Sequence, residues 1–147
     1  MSSISNAFAN ELALLLFNNT DIANIGDVAG LQNSATAGSL FIHLHTSDPG
    51  DAGNSSTNEA AYDSYAAVAV NRTGGSWTVS GRLATNAADI VFPTRSAVGT
   101  EVLTHWSIAK EIGGSSIILF KGALSASLTV TNNIAPRITA GALDINF

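Results

Sequence analysis

The hydrophobic period of this chain changes at residue 39, and that change does most to limit what it can fold into. Before it, Ile4, Phe8, Leu12, Leu15 and Leu16 recur at spacings of three and four, one apolar stripe on an amphipathic helix. Ser2 or Ser3 is placed to cap that helix and the Asn18-Asn19 pair to end it. After it the period is two, with Leu40, Ile42 and Leu44 on one strand face and Phe41, His43 and His45 on the other. Residues 20–38 lie between, where Ile22, Ile25, Val28 and Leu31 are broken up by Gly, Asn and Asp and read as an irregular connection.

Further strands are predicted at 65–71, 76–80, 88–92, 103–109, 117–124, 128–131 and 142–147, several of them separated by Gly74-Gly75, Gly113-Gly114 and Asn132-Asn133. With 39–45 that makes about eight short strands. No second helix long enough to cross between parallel strands follows residue 40, so the pairing is expected to be antiparallel. The expected architecture is mainly β: an antiparallel β-sandwich, jelly-roll-like, behind an N-terminal amphipathic α-helix. Residues 1–38 hold the helix and connection and 39–147 the sandwich, one structural domain overall. A chain of 147 residues is long enough for one core that buries roughly 70% of the unfolded surface.

Only 12% of residues are charged while 46% are hydrophobic, much of that alanine, so Ser, Thr, Asn and Gly must cover the surface. A weakly charged coat suits a protein packed against others. The net charge of -5 lacks the basic footprint that nucleic-acid binding needs. Arg72, Arg82, Arg95, Lys110, Lys121 and Arg137 all lie at or after position 72, whereas Glu11, Asp21, Asp27, Asp48, Asp51, Glu59 and Asp63 precede it. Either the fold neutralises this acidic first half internally or a neighbouring subunit with a basic patch does so. The absence of cysteine excludes disulfides and thiolate metal sites. The start MSSISNAF has no basic signal region, and the apolar run 12–17 is far shorter than the ~20 residues of a membrane span, so a soluble, unprocessed chain without membrane partners is expected.

His43 and His45 share a strand face, a spacing that suits two imidazoles on one metal, with Asp48, Asp51 and His105 as further ligands. No tighter zinc motif accompanies them, and two histidines on a solvated strand face are ordinary, so no metal site is expected. Asp48-Pro49-Gly50-Asp51 offers carboxylates to calcium but lacks the D-x-D-x-D-G pattern, and reads as a turn opening an exposed loop over 48–58. Glu59, Asp63, Asp89 and Glu101 are not selected as an acid/base pair by their spacing, and nucleophile elbow, phosphate loop and dinucleotide fingerprint are all missing. No catalytic residue, no cofactor and no enzyme activity are expected. The candidate interaction surface is instead the helix stripe of Ile4, Phe8 and Leu12, which docks on its own sandwich or on another subunit, together with Asp48, Asp51 and Trp77. Trp77, in the Gly-flanked GGSWTVSG hairpin, has the better claim to an exposed contact, and Trp106 to burial.

Four pieces occur in order: FIHLHTSDPGDAGN at 41–54, ATNAADIVFPT at 84–94, VLTHWSIAKEIGGSSIILFKGAL at 102–124 and PRITAGALDINF at 136–147. Together they resemble a family of small virion structural proteins of tailed bacteriophages, labelled head decoration or tail-fibre proteins. The chain departs from the pattern at Tyr65-Ala66-Ala67-Val68, where relatives carry an arginine after the tyrosine, and in its long stretch between Glu59 and Gly81. The resemblance implies a place on the surface of a phage particle, synthesis in the host cytoplasm, and no catalytic residues. The leading expectation is a capsid decoration, or cement, protein that binds and stabilises the major capsid protein shell as a dimer or trimer. The alternative is a tail or tail-fibre component that contacts the tail or the host surface.

Overall fold

Ser5 starts the N-terminal helix in the computed structural model, which describes residues 3–147. Helix α1 spans Asn6–Asn18, and the Ser5 hydroxyl accepts from the Phe8 amide at 3.2 Å. The cap therefore lies later than Ser3, while Ser2 falls outside the described residues. Asn19 ends the helix in the left-handed region, at φ 55°, a conformation that asparagine tolerates better than most residues. The buried face is Ala9, Ala13 and Phe17, not the larger residues of the expected stripe. Ile4, Phe8 and Leu12 are only half-buried, because two alanines one turn apart let the helix axis approach its neighbours more closely than a row of leucines would.

Nine strands follow among the described residues: β1 (Ser39–His45), β2 (Val68–Asn71), β3 (Trp77–Ser80), β4 (Leu83–Asn86), β5 (Ile90–Val91), β6 (Glu101–Ala109), β7 (Ile118–Val130), β8 (Arg137–Ile138) and β9 (Asp144–Asn146). They form a four-stranded sheet in the order β2-β1-β6-β7, a three-stranded sheet β3-β4-β9 and a two-stranded ladder β5-β8. The mainly β, antiparallel, sandwich-like class expected behind a single helix is what the chain adopts. The two runs predicted at 117–124 and 128–131 are one strand, β7, and two short strands, β4 and β8, are added to those expected.

The chain forms two units from interleaved stretches. The first holds the chain up to Ser39, then Asn71–Asp89 and Ile138–Phe147. In it α1 packs on β3 and β4, and Phe17 meets Trp77 at 4.7 Å and Phe147 edge-on at 6.2 Å between ring centroids. Trp77 is thus fully buried, which corrects its expected role as an exposed contact. Its glycine neighbours open a turn, but the strand directs the indole to the helix. Arg72 closes the C-terminal end of α1, its guanidinium donating to the carbonyls of Leu15, Leu16 and Ala37 at 2.6, 2.7 and 3.1 Å. Helix ends leave such carbonyls without partners, and a cation also suits the negative end of the helix dipole. The Asn86 side chain donates to the carbonyls of Ala88 and Thr139 and accepts from the Leu143 amide. The Asp89 carboxylate accepts from the Ala140 amide.

The second unit holds Leu40–Val70 and Ile90–Arg137. Its β1 is an interior strand of the larger sheet, paired with β6 so that His43 faces Ser107 and His45 faces His105. Leu40, Ile42 and Leu44 are buried on one face, and His43 and His45 are buried on the other. The solvated histidine face expected from the alternation is therefore absent, because Glu59 and Thr57 of the following loop cover it. Trp106 lies across Gly122 of β7, where an added Cβ would sit 2.7 Å from the indole ring.

Phe17→Ala removes the centre of the aromatic group in the first unit and is expected to lower unfolding free energy by about 3–5 kcal/mol in urea titrations, with Leu12→Ala costing clearly less because Leu12 is half-buried.

Candidate interaction site

The loop that follows β1 is built by short side chains bonding to its own backbone. Asp48 accepts from the Gly50 amide at 2.8 Å, and its carbonyl takes the Asn58 side-chain amide at 3.1 Å. The Thr46 amide donates to the Asn58 carbonyl at 2.8 Å, closing the loop at its base. Gly53 is required because a Cβ there would sit 2.0 Å from the Pro49 carbonyl oxygen. Farther on, the Ser55 amide donates to the Ser116 carbonyl, and the hydroxyls of Ser55 and Ser56 donate to the Gly114 carbonyl at 2.9 and 2.7 Å. The loop is thereby tied to the turn between β6 and β7 (Glu111 to Ser116 in the same unit), a link that the sequence does not announce.

Lys121 of β7 completes the loop. Its ammonium nitrogen lies 2.9 Å from Asp48 and 3.2 Å from Asp51. The Gly50 amide, and then Lys121, hold the Asp48 carboxyl below its ordinary range, while Asp48 and Asp51 push the lysine up. A side-chain cation thus stands where a bound cation would need these carboxylates. Among the described residues no group of three or more His, Asp or Glu is placed to hold a metal ion. Between the loop and the strand runs an open groove of about 280 Å³, lined by Gly50, Asp51 and Gly53 and by Ile118, Leu119, Phe120 and Lys121 of β7. Asp48 and Asp51 themselves are exposed at its rim.

Beneath the loop lies a buried polar row. His43 Nδ1 stands 2.6 Å from Glu59 Oε1. His45 places Nδ1 2.9 Å from the Thr57 carbonyl, so that nitrogen carries the proton, and Nε2 then accepts from the Ser107 hydroxyl at 2.8 Å. Burial is the largest cause that lowers the His45 pKa below its ordinary 6.5, with His43 and His105 pushing the same way and the Thr57 bond and Glu59 opposing. A serine bonded to an oriented imidazole is the arrangement of an activated nucleophile, but Ser107 and His45 are both fully buried, so no substrate carbonyl reaches the oxygen. The row works as internal hydrogen bonding.

Other acids of the unit serve the backbone. Glu101 accepts from the amides of Ala61 and Tyr62, and Asp63 from those of Ser96 and Ala97. Ser96, through its hydroxyl, is the largest cause that lowers the Asp63 pKa. The Tyr62 hydroxyl donates to the Pro93 carbonyl at 2.9 Å, and burial pushes its pKa up to about 12. Of the six residues singled out from the sequence, Asp48 and Asp51 are brought together around Lys121, whereas Ile4, Phe8, Leu12 and Trp77 belong to the first unit. Lys121, Glu59 and Ser107 were not singled out, since their partners Asp48 and Asp51, His43, and His45 lie far from them in sequence and meet them only in the folded unit.

A family model described as Podophage GP4 fiber I protein gp80 matches residues 3–146. No curated protein matches the chain.

The neutral, buried His45 makes stability depend on pH with a definite sign. The unfolded chain takes up a proton as pH falls below 6.5 and the folded chain does not, so stability is expected to drop with pH from there and to level off once the lowered folded pKa is passed. Asp48 and Asp63 lose their stabilising contributions only lower, as pH falls below 3.8. Urea midpoints measured across the upper window should therefore flatten in His45→Gln and slope in the parent chain.

Proposed function

This chain belongs to the family described as Podophage GP4 fiber I protein gp80, and on that premise we propose that it is a structural component of a phage fibre. As a virion structural protein it has its place in the particle, in association with other virion proteins. The observation that carries the fibre reading is the family match over nearly the whole chain, residues 3–146. Decoration of the capsid shell ranks first from the sequence alone, with the fibre as its alternative; the wording of the family description favours the fibre. In this reading the protein is made in the host cytoplasm with the rest of the particle, acts by contact and catalyses no reaction. The buried Ser107 and His45 support that last point, since their hydrogen bond is closed to any substrate.

The surface that such a component offers is the rim of the loop over 48–58, where exposed Asp48 and Asp51 present carboxylates next to the groove along the start of β7. The helix stripe is a weaker candidate, since α1 already packs on β3 and β4 within its own unit.

Virions carrying a small epitope tag on this chain, labelled with gold and imaged by electron microscopy, should show label on the fibres in a low number per particle. Label spread evenly over the head would overturn the fibre reading in favour of shell decoration.

A further inference from the structure

Strand β7 is an outer strand of its sheet, with β6 on one side and no described strand on the other. Its register with β6 jumps: Leu103 pairs with Leu128 and His105 with Ala123, so residues 124–127 stand opposite the single residue Thr104. These four residues keep strand conformation without a cross-strand partner in β6. Ser125, Ala126 and Ser127 are exposed, and Leu124 and Leu128 are half-buried.

Sheet edges are usually guarded by Lys, Pro or an inward charge, because free amides and carbonyls invite pairing with another chain. Between Gly122 and Val130 there is no charged residue and no proline. Lys121, the nearest charge in the strand, is engaged by Asp48 and Asp51. The bulge alone remains as a guard, and it projects the uncharged stretch outward.

The stretch Leu124-Ser125-Ala126-Ser127-Leu128 reads the same in both directions. That symmetry has a geometric meaning only in an antiparallel pair, where a two-fold axis at Ala126 sets each residue opposite its own kind. Leu124 then meets the second copy's Leu128, Ser125 meets Ser127, and Ala126 meets itself. In a paired strand Leu124, Ala126 and Leu128 share one face, so four leucines gather over the axis, while serine hydroxyls pair on the other face. Small residues at the centre leave room for close approach. No like charges face each other.

We propose that residues 124–128 of β7 form a homotypic docking surface, through which two copies of this chain pair antiparallel about Ala126. This pairing follows from the strand itself and does not depend on where in the particle the chain sits.

The chain has no cysteine, so engineered thiols report on the register directly. Directly opposed residues in an antiparallel pair have Cα atoms about 4.5–5.5 Å apart, inside the disulfide range of about 4.4–6.8 Å. Under mild oxidation Ala126→Cys should give a linked dimer, and Ser125→Cys mixed with Ser127→Cys should link likewise. Ser125→Cys alone, offset from its own copy by a diagonal of about 7–8 Å, should link several-fold more slowly. Ala126→Pro, checked for folding by the fluorescence of Trp106, buried against Gly122 of the same strand, should lose any dimer that the parent chain shows in sedimentation. Equal linking at all three positions would mean random collision, and no linking at Ala126 would mean no pairing there. Either result overturns the proposal.

Discussion

Backbone polar groups that no ladder or helix satisfies are the constraint on which this structure turns. Its strands are short and its connections long, so many amides and carbonyls lie in irregular chain, where leaving them unpaired and buried is costly. The few charged and amide side chains answer that need. Asp63 holds the amides of Ser96 and Ala97, Glu101 those of Ala61 and Tyr62, Asp27 those of Ala29 and Gly30, and Asp89 that of Ala140. Arg72 does the converse for the carbonyls at the end of α1. The uneven distribution of charge along the chain follows from the same cause: many acids in the first half have internal partners within their own unit, and Lys121 supplies two of them with a cation.

How much of this was legible in the sequence depends on how local each feature is. The run Ser39–His45 could be read to its ends, because strict alternation is set by the strand's own geometry. Alternation says nothing of how many faces are covered, and His43 and His45 look solvated until the later loop residues Thr57 and Glu59 are placed over them. The helix was visible, but size drew attention to Ile4, Phe8 and Leu12, while close packing selects Ala9, Ala13 and Phe17. β4 and β8 are too short to give a period, and the small residues at 125–127 make one long strand look like two. Asp48 and Asp51 declare a turn; their partner Lys121 is far away in sequence and depends on the register of β7 against β6.

The pieces that carry the family resemblance turn out to be places where the fold is fastened. Asn86 and Asp89 of the second piece bind the backbone of the fourth, at Leu143 and Ala140. Gly122 of the third piece lets Trp106 of the same piece lie flat across the strand. Ser55, just beyond the first piece, exchanges hydrogen bonds with Ser116 in the third. A pattern made of such fastenings identifies a fold and its family.

The interleaving of the two units has a consequence for the order in which they form. Every residue of the second unit precedes Ile138, whereas the first unit is incomplete until Ile138–Phe147 is present, with β9 beside β4 and Phe147 against Phe17. During vectorial synthesis the second unit is complete first, and the first unit, in which α1 packs on β3 and β4, gains β9 and Phe147 only with the last of its stretches. The helix has β3 and β4 to pack on before then, but the aromatic group around Phe17 closes only once Phe147 is in place.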